Sequence, residues 1–395
     1  MNTATSGKAR GKIPERIKTI LWAAAAGRCE YENCNAPLLG DLISGKAQLN
    51  KAYIAHIVAA EPDGPRGDPI RSPMLAKKVE NLMLMCDPHH RLIDREDVPG
   101  HPESRLLAMK AAHESRIEAL TALSRDRSSH VLLYAARIGE HNCPVSFEAA
   151  KTALMNQGRY SAESQPLALD VVGCPYQSNE PDYWKFQIDA LRTQFQAVVR
   201  ERIARGSVSH LSVFALAPQP LLIELGRLLS DIRACDVYQL HREPPGWSWA
   251  KDDGLDVRCS SSELAAHNGC VALKLALSAT VSDGRIHAAL GEAVPIWSIT
   301  AETPHNDVLQ SPEDLSRLRA ALRRTFDRIK AQYGEHVEIH LFPAAPVSAA
   351  VEVGRVWMPR SDLALEIYDN DRAHGGFIAR TRLDAATSPS TPTGA

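Results

Sequence analysis

Cys29-Glu30-Tyr31-Glu32-Asn33-Cys34, then Ala55-His56-Ile57, then Asn81, then Cys86-Asp87-Pro88-His89-His90 running on to Asp94: this spaced series decides how the N-terminal part of the chain is read. Cys29, Cys34, Cys86 and His89 offer three thiols and an imidazole, a donor set suited to tetrahedral zinc. Spacings of five and three residues put each pair on a tight turn. Such a site substitutes for hydrophobic core in a small domain, so zinc here is expected to be structural. The alternative is two buried thiols beside an unrelated surface histidine.

The remaining residues of the series suit hydrolysis of a phosphodiester. His56 follows a β-rich segment and precedes a Pro/Gly-rich loop (61–73), and an imidazole can deprotonate water near neutral pH. His90 and Asp94 lie four apart on an expected helix, hence on one face, where both can reach one divalent cation. That cation would offset charge building on the phosphate and the leaving oxygen. Asn81, nine residues before His90, can orient His56 or complete the metal shell through its carbonyl. A lone histidine is more often structural; the company of the other three residues and the cysteine clip is what gives His56 its meaning.

At 395 residues the chain has room for two or three cores. Met1 to Lys18 is polar and basic with no apolar signal core, and no run of apolar residues is long enough to span a bilayer, so a cytoplasmic protein without membrane contact is expected. Net charge is −2, but residues 1–125 hold 18 Lys or Arg against 15 Asp or Glu, a net of +3 that leaves −5 for the rest. Lys8, Arg10, Lys12, Arg16 and Lys18 form a candidate phosphate-gripping arm or, more plainly, a solvated tail. Cys143, Cys174, Cys235, Cys259 and Cys270 stand singly and read as small core residues.

Helices are expected over 14–26 (Pro14 near the start, Gly27 just past the end), from His89, and over 103–123, with short strands and loop over 40–58. A polar stretch at 124–129 marks a domain boundary. Beyond it, strands expected at 131–138, 167–173, 210–217, 234–240, 270–277 and 337–344 alternate with helices at 183–205, 220–230, 311–333 and 347–355, the pattern of an α/β domain with largely parallel strands. The last ten residues, 386–395, are disordered by composition.

That second region contains a repeat. HLSVFALAPQPLLIELGR (210–227) aligns without gaps on EIHLFPAAPVSAAVEVGR (338–355), pairing Phe214 with Phe342, Pro218 with Pro346, Glu224 with Glu352 and Gly226-Arg227 with Gly354-Arg355. Both copies read strand, proline turn, helix. A helix N-terminus after a strand presents free N–H groups to an anion, and two related by a pseudo-twofold suit a ligand with several phosphates. The alternative is a duplicated α/β core with no ligand.

Cys29, Cys34, His56, Asn81, Cys86, His89 and His90 together resemble the HNH family of ββα-metal endonucleases, in the variety with a zinc knuckle, over residues 20–95. Two departures stand out. Ala55 occupies a position where the family often carries a metal ligand, for which Asp94 or Asp68 would have to compensate; and His89 stands where cysteine is commoner. An HNH domain followed by a duplicated α/β domain is similar to the HNH–SAVED effectors of cyclic-oligonucleotide antiphage defence (CBASS), whose SAVED domain is described as two fused CARF-like Rossmann-type units.

The resemblance implies an α/β (overall α+β) protein: an HNH domain at 1–125 and a SAVED sensor at 126–385, with halves at about 130–268 and 269–385. It implies structural zinc, a catalytic magnesium or similar ion, a cyclic di- or trinucleotide messenger, double-stranded DNA as substrate, and homo-oligomerisation on activation. Strand ends and adjacent loops would place Tyr176, Gln177, Pro218, Gln219, Ser278, Thr280, Pro346 and Ser348 at the ligand, with Tyr176, Trp184, Trp247 and Trp249 as stacking aromatics; the plainer alternative for each is packing. Arg227 and Arg355 are expected to brace the two halves. Two other functions remain open: a restriction-type HNH nuclease whose second domain reads DNA, against which its acidic balance counts, and a non-catalytic zinc-knuckle adaptor, against which His56, Asn81 and His90 count.

Overall fold

Alternation in the first strand and a continuous apolar run in the second build the N-terminal hairpin. In the computed structural model, β1 (Ala52–His56) pairs antiparallel with β2 (Leu82–Cys86), with Ala52 opposite Cys86 and His56 opposite Leu82. Leu82 to Met85 are all fully buried, as a run apolar on both faces requires. The structure describes residues 12–41, 46–122, 125–138, 145–170, 174–177, 180–232, 234–250, 257–261, 269–292, 294–371 and 375–385. The expected tail at 386–395, together with Lys8, Arg10 and Cys143, lies outside them. Contacts divide the chain into Met1–Ser124 and Arg125–Ala395.

In the first unit the core gathers Leu21 of α1 (Glu15–Ala24), Ala55, Ile57, Leu82 to Met85, and Leu106 and Met109 of the helix Glu103–Thr121. Between hairpin and long helix, α2 (Asp87–Arg91) begins directly at the end of β2. Asp87 and Pro88 occupy its first turn and His89, His90 and Arg91 its last, the order that the helix dipole and proline's fixed φ favour. The helix continues as a wider π turn, Leu92–Glu96. Strand, strand and helix thus form a ββα unit. Ala55 is 1% exposed in the core.

Among the described residues the second unit carries two large sheets, besides a two-stranded pairing of His241–Arg242 with Pro245–Gly246. The first is parallel: β3 (Ser128–Ala135) is flanked by β4 (Leu167–Asp170) on one side and β5 (Leu211–Leu216) on the other, with β6 (Cys235–Val237) beyond β5. The second sheet repeats that order. Here β8 (Cys270–Ala276) lies between β9 (Ile296–Ala301) and β10 (Glu338–Ala344), with β11 (Leu365–Asp371) beyond. Two antiparallel strands extend it: β7 (Val257–Ser261) on β9, and β12 (Gly376–Leu383) on β11. The break expected at 268/269 therefore needs correction, since β7 precedes it in sequence yet joins the second sheet. As an edge strand β7 also exposes Cys259, expected in the core.

The helices that follow β5 and β10, α3 (Gln219–Leu229) and α4 (Val347–Val356), pack against each other at the centre and are buried along almost their whole length. Helices apolar all round belong in the interior. The aromatic environment repeats as well: Phe214 stacks on Tyr238 at 4.4 Å and meets Trp247 edge-on, while Phe342 stacks on Tyr368 at 4.5 Å and meets Phe377 edge-on. The sequence repeat is thus a duplication of sheet, helix and core. Among the described residues no helix is long and apolar enough to cross a membrane.

Candidate functional site

Cys29, Cys34, Cys86 and His89 converge, with one potential ligand atom from each lying within 4.8 Å of all the others. Tetrahedral zinc–sulfur bonds of about 2.3 Å put neighbouring sulfurs about 3.8 Å apart, so the cluster fits zinc. His89 Nδ1 is 3.2 Å from Cys86 Sγ and 3.6 Å from Cys29 Sγ. Tyr31 stacks on His89 (4.0 Å, 4°) and its hydroxyl meets His101 Nε2 at 3.0 Å. Burial pushes the Cys29 thiol up to about 12, the cost a thiolate meets here when no cation shares its charge.

On the hairpin and helix, His56 and His90 line one cleft of about 690 Å³ together with Lys12, Glu61, Lys77, Asp94 and Arg95. His56 Nε2 lies 3.0 Å from the carbonyl of Ala76. A carbonyl only accepts, so Nε2 carries the proton and Nδ1 the lone pair. Asn81 is buried and clamps the chain two residues beyond His56: its Oδ1 accepts from Val58 N–H at 2.8 Å and its Nδ2 donates to Val58 O at 2.8 Å. Its carbonyl is thereby engaged with the backbone and its position is that of an orienting residue. Tyr53 stacks on His90 at 5.0 Å.

Asp94 approaches His90, with Oδ2 3.4 Å from Nε2, but its Oδ1 accepts from Arg66 at 2.8 Å. Asp68 is not among the residues that line the cleft, and its Oδ1 accepts from the amides of Ile70 and Arg71 at the start of the short helix Arg71–Leu75. Lys12 of the expected basic arm lines the cleft together with Lys77 and Arg95, which spacing alone does not single out. Of the basic arm, Lys18 pairs with Glu15 on its own helix.

In the second unit the expected ligand residues fare unevenly. Tyr176 lines a groove of about 570 Å³ with Asp182, Lys185 and Asp189. Gln177 and Thr280 are exposed, Pro218, Gln219 and Ser278 half-buried. Burial counts against four of them. Trp184 is 4% exposed with the Arg380 guanidinium over its ring, so its face is unavailable to a base. Trp247 is buried against Phe214, leaving Trp249 only partly so. Ser348 is fully buried, its hydroxyl donating to Gln239 Oε1 at 2.7 Å and its amide to the same atom at 3.2 Å. That bond occupies a helix N-terminal amide expected to face an anion. Pro346 is buried too.

Gln219 ties the matched turns together, its Nε2 donating to Ala345 O at 2.9 Å, while its Oε1 is buried without a protein partner. Arg355 lies close enough to Cys235 and Asp236 of the first half to feel their charge, while the nearest partner of Arg227 and of Arg355 is local. Each pairs with the glutamate one turn earlier on its own helix, Arg227 with Glu224 at 2.5 Å and Arg355 with Glu352 at 2.7 Å. A second arginine joins each fully buried glutamate, Arg192 at 2.7 Å and Arg319 at 3.3 Å. Glu-x-x-Arg in both copies was the signal for this.

Residues 191–383 match the family model of the SMODS-associated and fused to various effectors sensor domain, SAVED. No curated protein matches the chain significantly. Among solved structures, the chain is similar to the Acinetobacter baumannii Cap4 SAVED/CARF-domain containing receptor (13% identity, 71% of this chain and 59% of that one, TM-score 0.42). The same receptor with the cyclic trinucleotide 3′3′3′-cAAA gives 12% identity, 71% and 60% coverage and a TM-score of 0.45. The Moraxella osloensis Cap4 receptor gives 11%, 71%, 59% and 0.40. The chain spans about three-fifths of the length of these solved chains. Residues 191–383, a little under half of the chain, are thus similar to the SAVED sensor domain.

Proposed function

We propose that the protein is a metal-dependent DNA endonuclease switched on by a cyclic oligonucleotide, acting as a CBASS-type SAVED effector in antiphage defence. The nuclease half is carried by one observation: His56 and His90 line a single cleft rimmed by Lys12, Lys77 and Arg95, on a ββα unit beside a Cys3His cluster. The lysines and arginine hold the phosphate backbone. His56, with its proton fixed on Nε2 by Ala76, takes the proton of the attacking water at Nδ1, a contribution of about 10²- to 10⁴-fold. Asn81 holds the backbone after His56 so that the ring keeps this setting. His90 would hold a divalent ion whose charge offsets that developing on the phosphate. Cys29, Cys34, Cys86 and His89 would hold a zinc ion that shapes the domain.

The sensor half rests on the SAVED match and on the duplicated sheet-and-helix core. A messenger with repeated phosphates suits a protein whose two halves repeat. The partner class is a cyclic di- or trinucleotide; the Tyr176 groove and the unpartnered Gln219 Oε1 are its candidate contacts in this chain. Binding would drive homo-oligomerisation and bring nuclease units together. The test is cleavage of linear duplex DNA with Mg²⁺, with and without each cyclic di- and trinucleotide. Cutting that appears with one messenger supports the reading. Cutting without any favours a restriction-type enzyme, and no cutting at all a zinc-knuckle adaptor.

A further inference from the structure

Arg66 adopts a φ of 57°, in the left-handed region that non-glycine residues seldom occupy. Its side chain is 8% exposed, and its guanidinium reaches two elements at once. Nε donates to Ile57 O at 2.6 Å and Nη2 lies 3.4 Å from His56 O, both at the end of β1. Nη1 donates to Ile93 O and Nη2 to Asp94 Oδ1, each at 2.8 Å, on the helical turn that follows His90. One planar group therefore fixes the strand that carries His56 against the helix that carries His90. Asp94 completes the chain of contacts through Oδ2, 3.4 Å from His90 Nε2.

We propose that Arg66 and Asp94 form a clasp that positions His90 against His56, and that Asp94 orients His90 instead of ligating the divalent ion. Oδ1 already accepts from Arg66, and Oδ2 faces the His90 ring. A metal-binding imidazole is commonly held through its other ring nitrogen by a carboxylate, which fixes its tautomer. With Nε2 turned to Asp94, Nδ1 is the nitrogen left to offer a lone pair. Arg66 and Asp94 are on this account positioning residues, acting through the two histidines. The inference rests on the nuclease reading for the roles of His56 and His90, and its test separates the two.

The test is a double-mutant cycle on the full-length, zinc-loaded protein: Asp94→Asn, Arg66→Lys and the pair, with His90→Ala as reference. Two quantities are read: Mn²⁺ binding by electron paramagnetic resonance, and single-turnover cleavage of linear duplex DNA with Mg²⁺ and a panel of cyclic di- and trinucleotides. Zinc content and circular dichroism verify folding. His90→Ala should abolish Mn²⁺ binding in the cleft. Each positioning variant should weaken Mn²⁺ binding or lower kcat about 10- to 100-fold, with KM for DNA unchanged. The double variant should be no worse than the weaker single one, because both break the same clasp.

Effects that multiply would overturn the clasp, as would Asp94→Asn losing Mn²⁺ as completely as His90→Ala, or Mn²⁺ binding indifferent to His90→Ala. Should Arg66→Lys not fold, Asp94→Asn alone decides between partial and complete loss of Mn²⁺. A wild type that binds Mn²⁺ through His90 yet cuts no DNA would remove the nuclease reading and leave the Mn²⁺ cycle to judge the clasp.

Discussion

Gly226 and Gly354 lie at the crossing of α3 and α4, where each helix backbone touches the other. A Cβ on Gly226 would stand 1.9 Å from the carbonyl oxygen of Val351, and one on Gly354 would stand 1.9 Å from that of Ile223. The reciprocity is that of a pseudo-twofold running between the helices. It explains why glycine recurs at the same place in both copies of the repeat.

Substituting either glycine by alanine should therefore force the helices apart and destabilise the second unit by about 1–3 kcal/mol or more, as overpacking does. Thermal unfolding of Gly226→Ala and Gly354→Ala would show it. Melting temperatures equal to wild type would mean that the crossing yields easily.

Glu224 and Glu352 are fully buried, each between two arginines. Replacing either by leucine strands a buried guanidinium, a change that typically costs about 3–5 kcal/mol. Denaturant unfolding of Glu224→Leu and Glu352→Leu measures it. The two losses should be similar, since the networks are copies.

Cys86→Ser should lose zinc and unfold Met1–Ser124, because ligand binding and folding are coupled where zinc replaces core. Chelation of the wild type should do the same. Zinc analysis with circular dichroism checks this; a folded, zinc-replete Cys86→Ser protein would remove the cluster from the account.

Burial raises the Asp369 carboxyl to about 6, with Arg380 opposing and Asp371 adding to the shift. Its folded value thus lies above its unfolded value near 3.8. The stabilising contribution of the protonated form is complete below about pH 4 and is lost as pH rises through 6. Stability of the second unit should carry that slope between about pH 4 and 6, and Asp369→Asn should flatten it.

How much of this was legible in the sequence depends on whether the signal was local. The repeat named Gly226, Gly354 and both Glu-Arg pairs because residues at fixed offsets do the same job twice. Cys29, Cys34, Cys86 and His89 could be grouped because donor chemistry limits which residues share zinc. The β9 and β11 strands escaped notice because the first is a short apolar run closed off by Pro295 and Glu302 and the second carries three acidic residues. Trp184 and Ser348, expected at the ligand, are buried, which residue type does not report. Arg66 gave no signal at all: its meaning lies in reaching from one loop to the His56 strand and the His90 helix, and only the folded chain brings those together.

The most direct test of the account compares wild-type and His56→Ala protein on linear duplex DNA with Mg²⁺, with and without each cyclic di- and trinucleotide. The account predicts that the wild type cuts with one messenger and not without it. It also predicts that His56→Ala, folded and zinc-replete, cuts at least about 100-fold more slowly. Undiminished cutting by His56→Ala, or cutting indifferent to every messenger, would contradict it.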